Sequence, residues 1–288
     1  MLGMLQELFQ AGIIQGLILS LVALGVMIPF KILNFPDLTC DGAYPLAGAI
    51  TGSLLLSGSS PVLATTLGML AGGLLGLGTA FIHLRFKVNT LLAGIIVCTM
   101  VYSVNLRIMQ KPNIALFDNN TLFLLFHENV LYSAIFLFCL SIGLIALCYR
   151  FLMSEKGLRL RAVGLNPEFA QRQGIALTPY ILMGLFIGNA ITGLAGSLMV
   201  QLQQYADIGM GIGMVIHALA ALMIGESLIG THTLKRQCLA PFVGALVYQQ
   251  IQGLAMTLGL APTDLKLVTG LIVLLAIGLQ LKRKQVVS

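Results

Sequence analysis

The sequence predicts an all-α fold: a polytopic bundle of transmembrane helices with about nine spans. Three observations predict it. Of the 288 residues, 58% are hydrophobic and only 9% are charged, against about 25% charged in a soluble domain. So few charges cannot cover a soluble surface of this size, so a bilayer must solvate the chain; a mean hydropathy of +0.96 agrees. Apolar stretches recur at close to the roughly 20 residues that a spanning helix needs. Lys and Arg, finally, fall in alternate loops.

The candidate spans lie near 11–30, 42–58, 61–83, 88–106, 131–150, 179–203, 210–230, 239–258 and 266–281. The first follows an N-terminus, Met1 to Gln10, without Lys or Arg, so it lacks the basic region of a cleavable signal and is expected to stay as a helix. The second is short and carries Pro45, which marks it as broken or tilted. The Gly-rich stretch 205–230 has room for a half-helix. Eight to ten spans bracket the count.

Nine spans put the termini on opposite sides. With the C-terminus inside, the inside loops hold Lys31, Arg85, Lys87, Arg150, Lys156, Arg159, Arg161, Arg172, Lys235, Arg236, Lys282, Arg283 and Lys284. The outside keeps Arg107, Lys111 and Lys266. This asymmetry predicts N-out and C-in. It also accounts for the net charge of +6 without nucleic acid, which would call for a basic face.

Glycines four apart occur at Gly68/Gly72/Gly76, Gly184/Gly188 and Gly209/Gly213. They place small residues on one helix face, where backbones can approach closely. Packing within the chain and a subunit-dimer face are both open uses. Cys40, Cys98, Cys139, Cys148 and Cys238 have no paired spacing and read as small hydrophobes.

Two loops stand out by length. The outside loop 107–130 is polar but contains the apolar patch Leu122 to Phe126. It reads equally as a surface for a partner and as a short helix lying in the membrane interface. The inside loop 151–178 is the densest in charge. Within it Asn166, Pro167 and Glu168 form a helix start: N-cap, proline at the first position, acid in the first turn. The helix is expected to end near Arg172, stopped by Gly174. A short capped helix between two spans is a natural docking knob for a soluble partner.

The run Gly157 to Ala170, followed by Gly174-Ile175, resembles the cytoplasmic coupling loop of ABC importer permeases. It is most similar to the family of branched-chain amino-acid and ribose permeases, with its R-A-V-G-x-N-P-x-x-A pattern. The resemblance implies that a separate ATPase docks on this loop through Arg159, Arg161, Gly164, Asn166, Pro167, Glu168, Ala170 and Gly174. The stretch Ile32 to Gly42 resembles an F-P-D-L-T-x-D-G signature, here Phe35, Pro36, Asp37, Asp41 and Gly42. Together with Asn105 to Met109 and Lys111-Pro112-Asn113, it is similar to a branch whose members resemble partners of binding proteins for tryptophan- or tyrosine-like amino acids. Cys40, Ala43 and Tyr44 depart from that branch's small or β-branched residues.

What the chain lacks agrees with this. There is no Gly-Lys dipeptide, hence no P-loop, so ATP and Mg belong on a partner ATPase and no cofactor is expected here. His127-Glu128 begins an H-E-x-x-H, but Leu131 stands where the second His belongs. Asp37 and Asp41 have the spacing of a metal pair, yet Asp41 reads better as the start of the second span, and no metal is expected. The spans hold few ionisable groups: Glu226, His217 and His83. That leaves an ATPase-independent carrier or facilitator little to couple with, although it stays the alternative. A membrane enzyme or scaffold would need a catalytic constellation. Asn105, Asn189 and Thr192 are uncharged polar groups inside spans and are the candidate pathway residues. The expected assembly is a multi-pass permease domain in a bacterial cytoplasmic membrane, with a second copy as a homodimer, ATPase subunits and a periplasmic binding protein.

Overall fold

The computed structural model describes residues 2–117, 119–124 and 130–257, together with positions 267, 269–271, 274 and 278. In chain order the elements are α1 (Leu2–Met27), a π-turn (Ile28–Ile32), α2 (Cys40–Leu56), α3 (Pro61–Phe86), α4 (Thr90–Met109), β1 (Asn113–Ala115), α5 (Val130–Met153), α6 (Glu155–Leu165), α7 (Pro167–Arg172), α8 (Leu177–Gln203), β2 (Tyr205–Asp207), α9 (Met214–Ile229) and α10 (Leu234–Thr257). Among the described residues, five helices are long and apolar enough to cross a membrane: Phe9–Ile32, Pro61–Phe86, Thr90–Met109, Val130–Met153 and Leu177–Gln203. The predicted ninth span, 266–281, lies mostly outside the described residues.

Two prolines test the continuity of the first helices. Pro29 has no N–H to donate, so the ladder of α1 is interrupted and widens into the π-turn, closed by Leu33 N to Ile28 O at 3.0 Å. Pro45 does not break α2, which runs unbroken through it. At 17 residues α2 is about 26 Å long, shorter than the roughly 30 Å hydrocarbon core. The two prolines leave the carbonyls of Gly25 and Asp41, four residues earlier, without a helical donor. A glycine covers each: Gly188 over the first and Gly211 over the second, so close that no side chain would fit.

The described residues divide into two compact units. The first comprises 25–129 and 150–215. Its frame is α3 against α8 and α2. Gly68, Gly72 and Gly76 lie on one face of α3 toward α8; Gly72 and Gly76 meet its backbone, and Gly68 meets the Ser197 side chain. A β-carbon on Gly72 would sit 2.6 Å from Asn189 O, and one on Gly76 would overlap Leu185 O. The α3 stripe is thus used within the chain. Gly209 and Gly213 lie in turns and share no helix face.

At one end of this unit β1 pairs antiparallel with β2, Ile114 opposite Ala206. Leu116 N to Gln204 O (2.7 Å) and Ile208 N to Pro112 O (3.0 Å) extend the ladder. Beneath it Ala49, Leu55, Ala64, Met109, Ile114, Leu116, Val200 and Ala206 form an apolar cluster. The loop 107–130 is therefore partly a strand, which neither sequence reading included. Leu122 N is held by Gln201 Oε1 at 3.0 Å.

The second unit comprises 1–24, 130–149 and 216–288. Here α9 and α10 cross at glycines: a β-carbon on Gly225 would overlap Ala240 O, and one on Gly244 would overlap Ala221 O. Tyr248 is fully buried, with its hydroxyl 2.8 Å from His217 Nδ1 and 2.9 Å from Thr269 Oγ1. Ser20 and Ser141 join α1 to α5 at 3.4 Å.

Candidate functional site

The loop 151–178 holds two helices where the sequence reading placed one. Ser154 caps α6, its Oγ accepting from Gly157 N at 3.3 Å, with Glu155 in the first turn. Asn166 then ends α6 and starts α7: its N–H reaches Ala162 O, and its Oδ1 accepts from Phe169 N at 2.9 Å. Pro167 fills the first position of α7, and Gly174, at φ +77°, turns the chain toward α8. The α7 reading holds in detail. α6 was missed because its cap and its apolar residues sit within a charged stretch of little periodic contrast.

The eight residues expected to meet an ATPase divide into two sets. Asn166, Pro167, Glu168 and Gly174 are exposed. Arg159 is also exposed but engaged: it pairs with Glu155 one turn back and reaches Tyr180 Oη at 3.5 Å. The Tyr180 hydroxyl and then the Glu155 carboxylate raise the pKa of its guanidinium, keeping it charged. Arg161 is half-buried. Gly164 and Ala170 face inward; Ala170 is 1% exposed, and a β-carbon on Gly164 would overlap Ile32 O. These two set the helices in place. The outward apolar surface comes from residues the sequence reading did not single out: Leu165 at 84% exposure and Phe169 at 58%. Both stand in the expected motif, and their apolar character beside charged neighbours was the available signal.

The signature residues form a second, buried cluster. Phe35 packs edge-on to His83 at 5.0 Å. Asp37 is fully buried, and its neutral donors are Thr39 N (2.8 Å), the Thr39 hydroxyl and Asn189 Nδ2 (2.8 Å). The Thr39 hydroxyl lies 2.6 Å from that of Thr79 in α3. Asp41 turns to other partners, accepting from Val215 N at 2.8 Å and Gly213 N at 3.3 Å, at the start of α9. The two carboxylates thus serve separate donors. Among the described residues no group of three or more His, Cys, Asp and Glu gathers as a metal site would require. Gly42 packs on Cys98, where a β-carbon would lie 3.1 Å from Sγ.

Of the candidate pathway residues, Asn189 and Thr192 share one face of α8 against residues 37–40, Thr192 lying 3.8 Å from Cys40 Sγ. Asn105 is elsewhere, buried in α4. Asn105 Oδ1 and Asn189 Oδ1 are both buried without a hydrogen-bond partner.

Comparison with known proteins agrees with this architecture. Residues 8–278 match the family described as branched-chain amino acid transport system / permease component. The tyrosine transport system permease protein of Clostridioides difficile is 40% identical over 90% of this chain and 87% of its own length. The L-arabinose ABC transporter permease AraH of Azospirillum brasilense is 25% identical over 92% and 78% of the two chains. A solved structure of an inward-facing ABC transporter, described as of metal-chelate type, shares the fold at a TM-score of 0.53 and 19% identity, covering 94% of this chain and 85% of its own. The chain belongs to the branched-chain amino acid transport permease family and is a multi-pass permease subunit of an ABC transporter.

Proposed function

We propose that this permease serves an importer for an aromatic or related amino acid, in a bacterial cytoplasmic membrane. Its N-terminus is outside and its C-terminus inside. A second copy completes a homodimeric pathway, and residues 1–288 act as one permease domain. ATPase subunits, which carry ATP and Mg, dock on α6–α7. A periplasmic binding protein delivers solute at the opposite end, near the β1–β2 ladder.

The observation that carries this reading is the α6–α7 pair. Two capped helices stand between long apolar helices, with Leu165 and Phe169 turned outward among charges. An exposed apolar pair on a rigid knob suits burial by a soluble partner. The orientation has support from packing within the first unit. Ile32 lies under α6 and Phe35 against His83, which draws the basic loops at Lys31, Arg85–Lys87 and 154–172 to one end. The tyrosine-transport relative supports the solute class.

The test is co-purification in detergent with the partner ABC ATPase, wild type against Leu165→Asp/Phe169→Asp. ATPase retained by wild type and lost from the folded double variant is the expected result. Equal retention by both sinks the docking role. Uptake of labelled tyrosine into liposomes holding the full complex, with its binding protein, tests the solute.

A further inference from the structure

Residues 28–39 connect α1 to α2 without regular α-helix, through the π-turn and Asn34 at φ +51°. A connector of this kind is normally solvated. This one is wedged between helices: Ile32, Leu33, Phe35, Asp37 and Thr39 are all buried. π-turns inside helices commonly mark functional positions.

It meets α6 at one end and α8 along its length. At one end α6 rests on it directly. A β-carbon on Gly164 would overlap Ile32 O and lie 2.8 Å from Leu33 Cα, while the Leu33 side chain fills the space beside Gly184. At the other end Asp37 is bonded to Asn189 of α8, and Thr39 to Thr79 of α3. Cys98 of α4 donates to Leu38 O at 3.1 Å. With no side chain at Gly164 to yield, a displacement of α6 must move the connector.

Asp37 is costly to keep. Its donors are neutral, and a buried carboxylate loses its hydration. Packing alone would be served by an uncharged residue. Asn189, moreover, is satisfied on one side only: Nδ2 serves both Asp37 and Leu185 O, while Oδ1 has no partner. A buried, half-satisfied amide raises the energy of the arrangement seen here. A second arrangement of the same contacts can therefore lie close in energy, as a two-state coupling element requires.

We infer that Asp37 is a positioning residue for transport, carrying displacement of α6 through the 28–39 connector to α8 by its bond to Asn189. This rests on ATPase docking at α6–α7. α8 has 27 residues and spans about 40 Å; α7 precedes its start and β2 follows its end. A shift at Asn189 thus reaches the β1–β2 ladder at the far end of α8.

The test is hydrogen exchange on the permease–ATPase complex in phospholipid nanodiscs, with Mg-ATP and orthovanadate as the probe. Wild type is expected to change exchange both over 155–172 and over the strands 113–115 and 205–207. Asp37→Asn keeps an acceptor for Thr39 but turns an amide N–H toward Asn189 Nδ2, and is expected to keep the first change and to shrink the second about tenfold, as for loss of one hydrogen bond. The swap Asp37→Asn/Asn189→Asp keeps one carboxylate and one amide, and is expected to restore it. A far-end response in Asp37→Asn equal to wild type overturns the inference while leaving ATPase docking intact. So does a swapped chain that fails to assemble, or that assembles without the far-end response. No change over 155–172 in wild type overturns both the docking and the inference.

Discussion

The carboxylate of Asp41, in the first turn of α2, accepts hydrogen bonds from the backbone N–H groups of Val215 and Gly213, where α9 begins. An acid from one helix thus serves the open donors of another. Such donors go unsatisfied without a cap. Asp41→Ala is expected to cost about 1–2 kcal/mol, and Asp41→Asn much less, since an amide oxygen still accepts. Thermal unfolding of the detergent-solubilised permease measures both. Equal losses for the two would show that the carboxylate acts through charge and not as a cap.

A second contrast lies along α3. Gly72→Ala puts a methyl 2.6 Å from Asn189 O, an overlap expected to cost about 1–3 kcal/mol. Gly78 has nothing within 4 Å of a β-carbon, so Gly78→Ala is expected to stabilise by up to about 1 kcal/mol through helix propensity. The same unfolding measurement separates them. Similar Tm values would mean that the close α3–α8 approach is not needed.

Folding and docking should separate within two adjacent residues. Gly164→Ala forces a methyl into Ile32 O and is expected to lower the yield of folded permease. Leu165→Asp, at a position 84% exposed, is expected to leave folding unchanged, within about 0.5 kcal/mol, and to weaken ATPase retention. Size-exclusion profiles report the first effect and pull-down the second.

Gln201 ties the loop 107–130 to α8, donating to Thr65 Oγ1 at 2.7 Å and accepting from Leu122 N. Gln201→Ala removes a buried acceptor and is expected to speed amide exchange at Leu122 by about tenfold or more. Unchanged exchange there would show that the loop is held by its apolar contacts alone.

The membrane character and the positions of the helices were legible because each rests on local composition. A run of apolar residues must become a helix wherever no water can satisfy the backbone, so the spans at 61–83, 131–150 and 179–203 sit inside observed helices and 88–106 overruns the start of α4 by two residues. The α7 cap was equally local: Asn166, Pro167 and Glu168 are neighbours in sequence. The β1–β2 ladder was not legible, because strands of three residues carry no periodicity and their partners lie far apart along the chain. Nor was the continuity of α2, because sequence cannot tell a proline that breaks a helix from one whose freed carbonyl finds a glycine.

By itself the sequence determined the solvent, the helices, the capped loop 151–178 and, through its motifs, the family. Only the tertiary structure decided what those motifs touch. It put Gly164 on Ile32, Asp37 beside Asn189 and Asp41 under Val215. The reason is one of range. Helix formation and capping are settled within a few residues, whereas the partner of a buried carboxylate is settled by which distant backbones lack a β-carbon and can come close enough to bring it there.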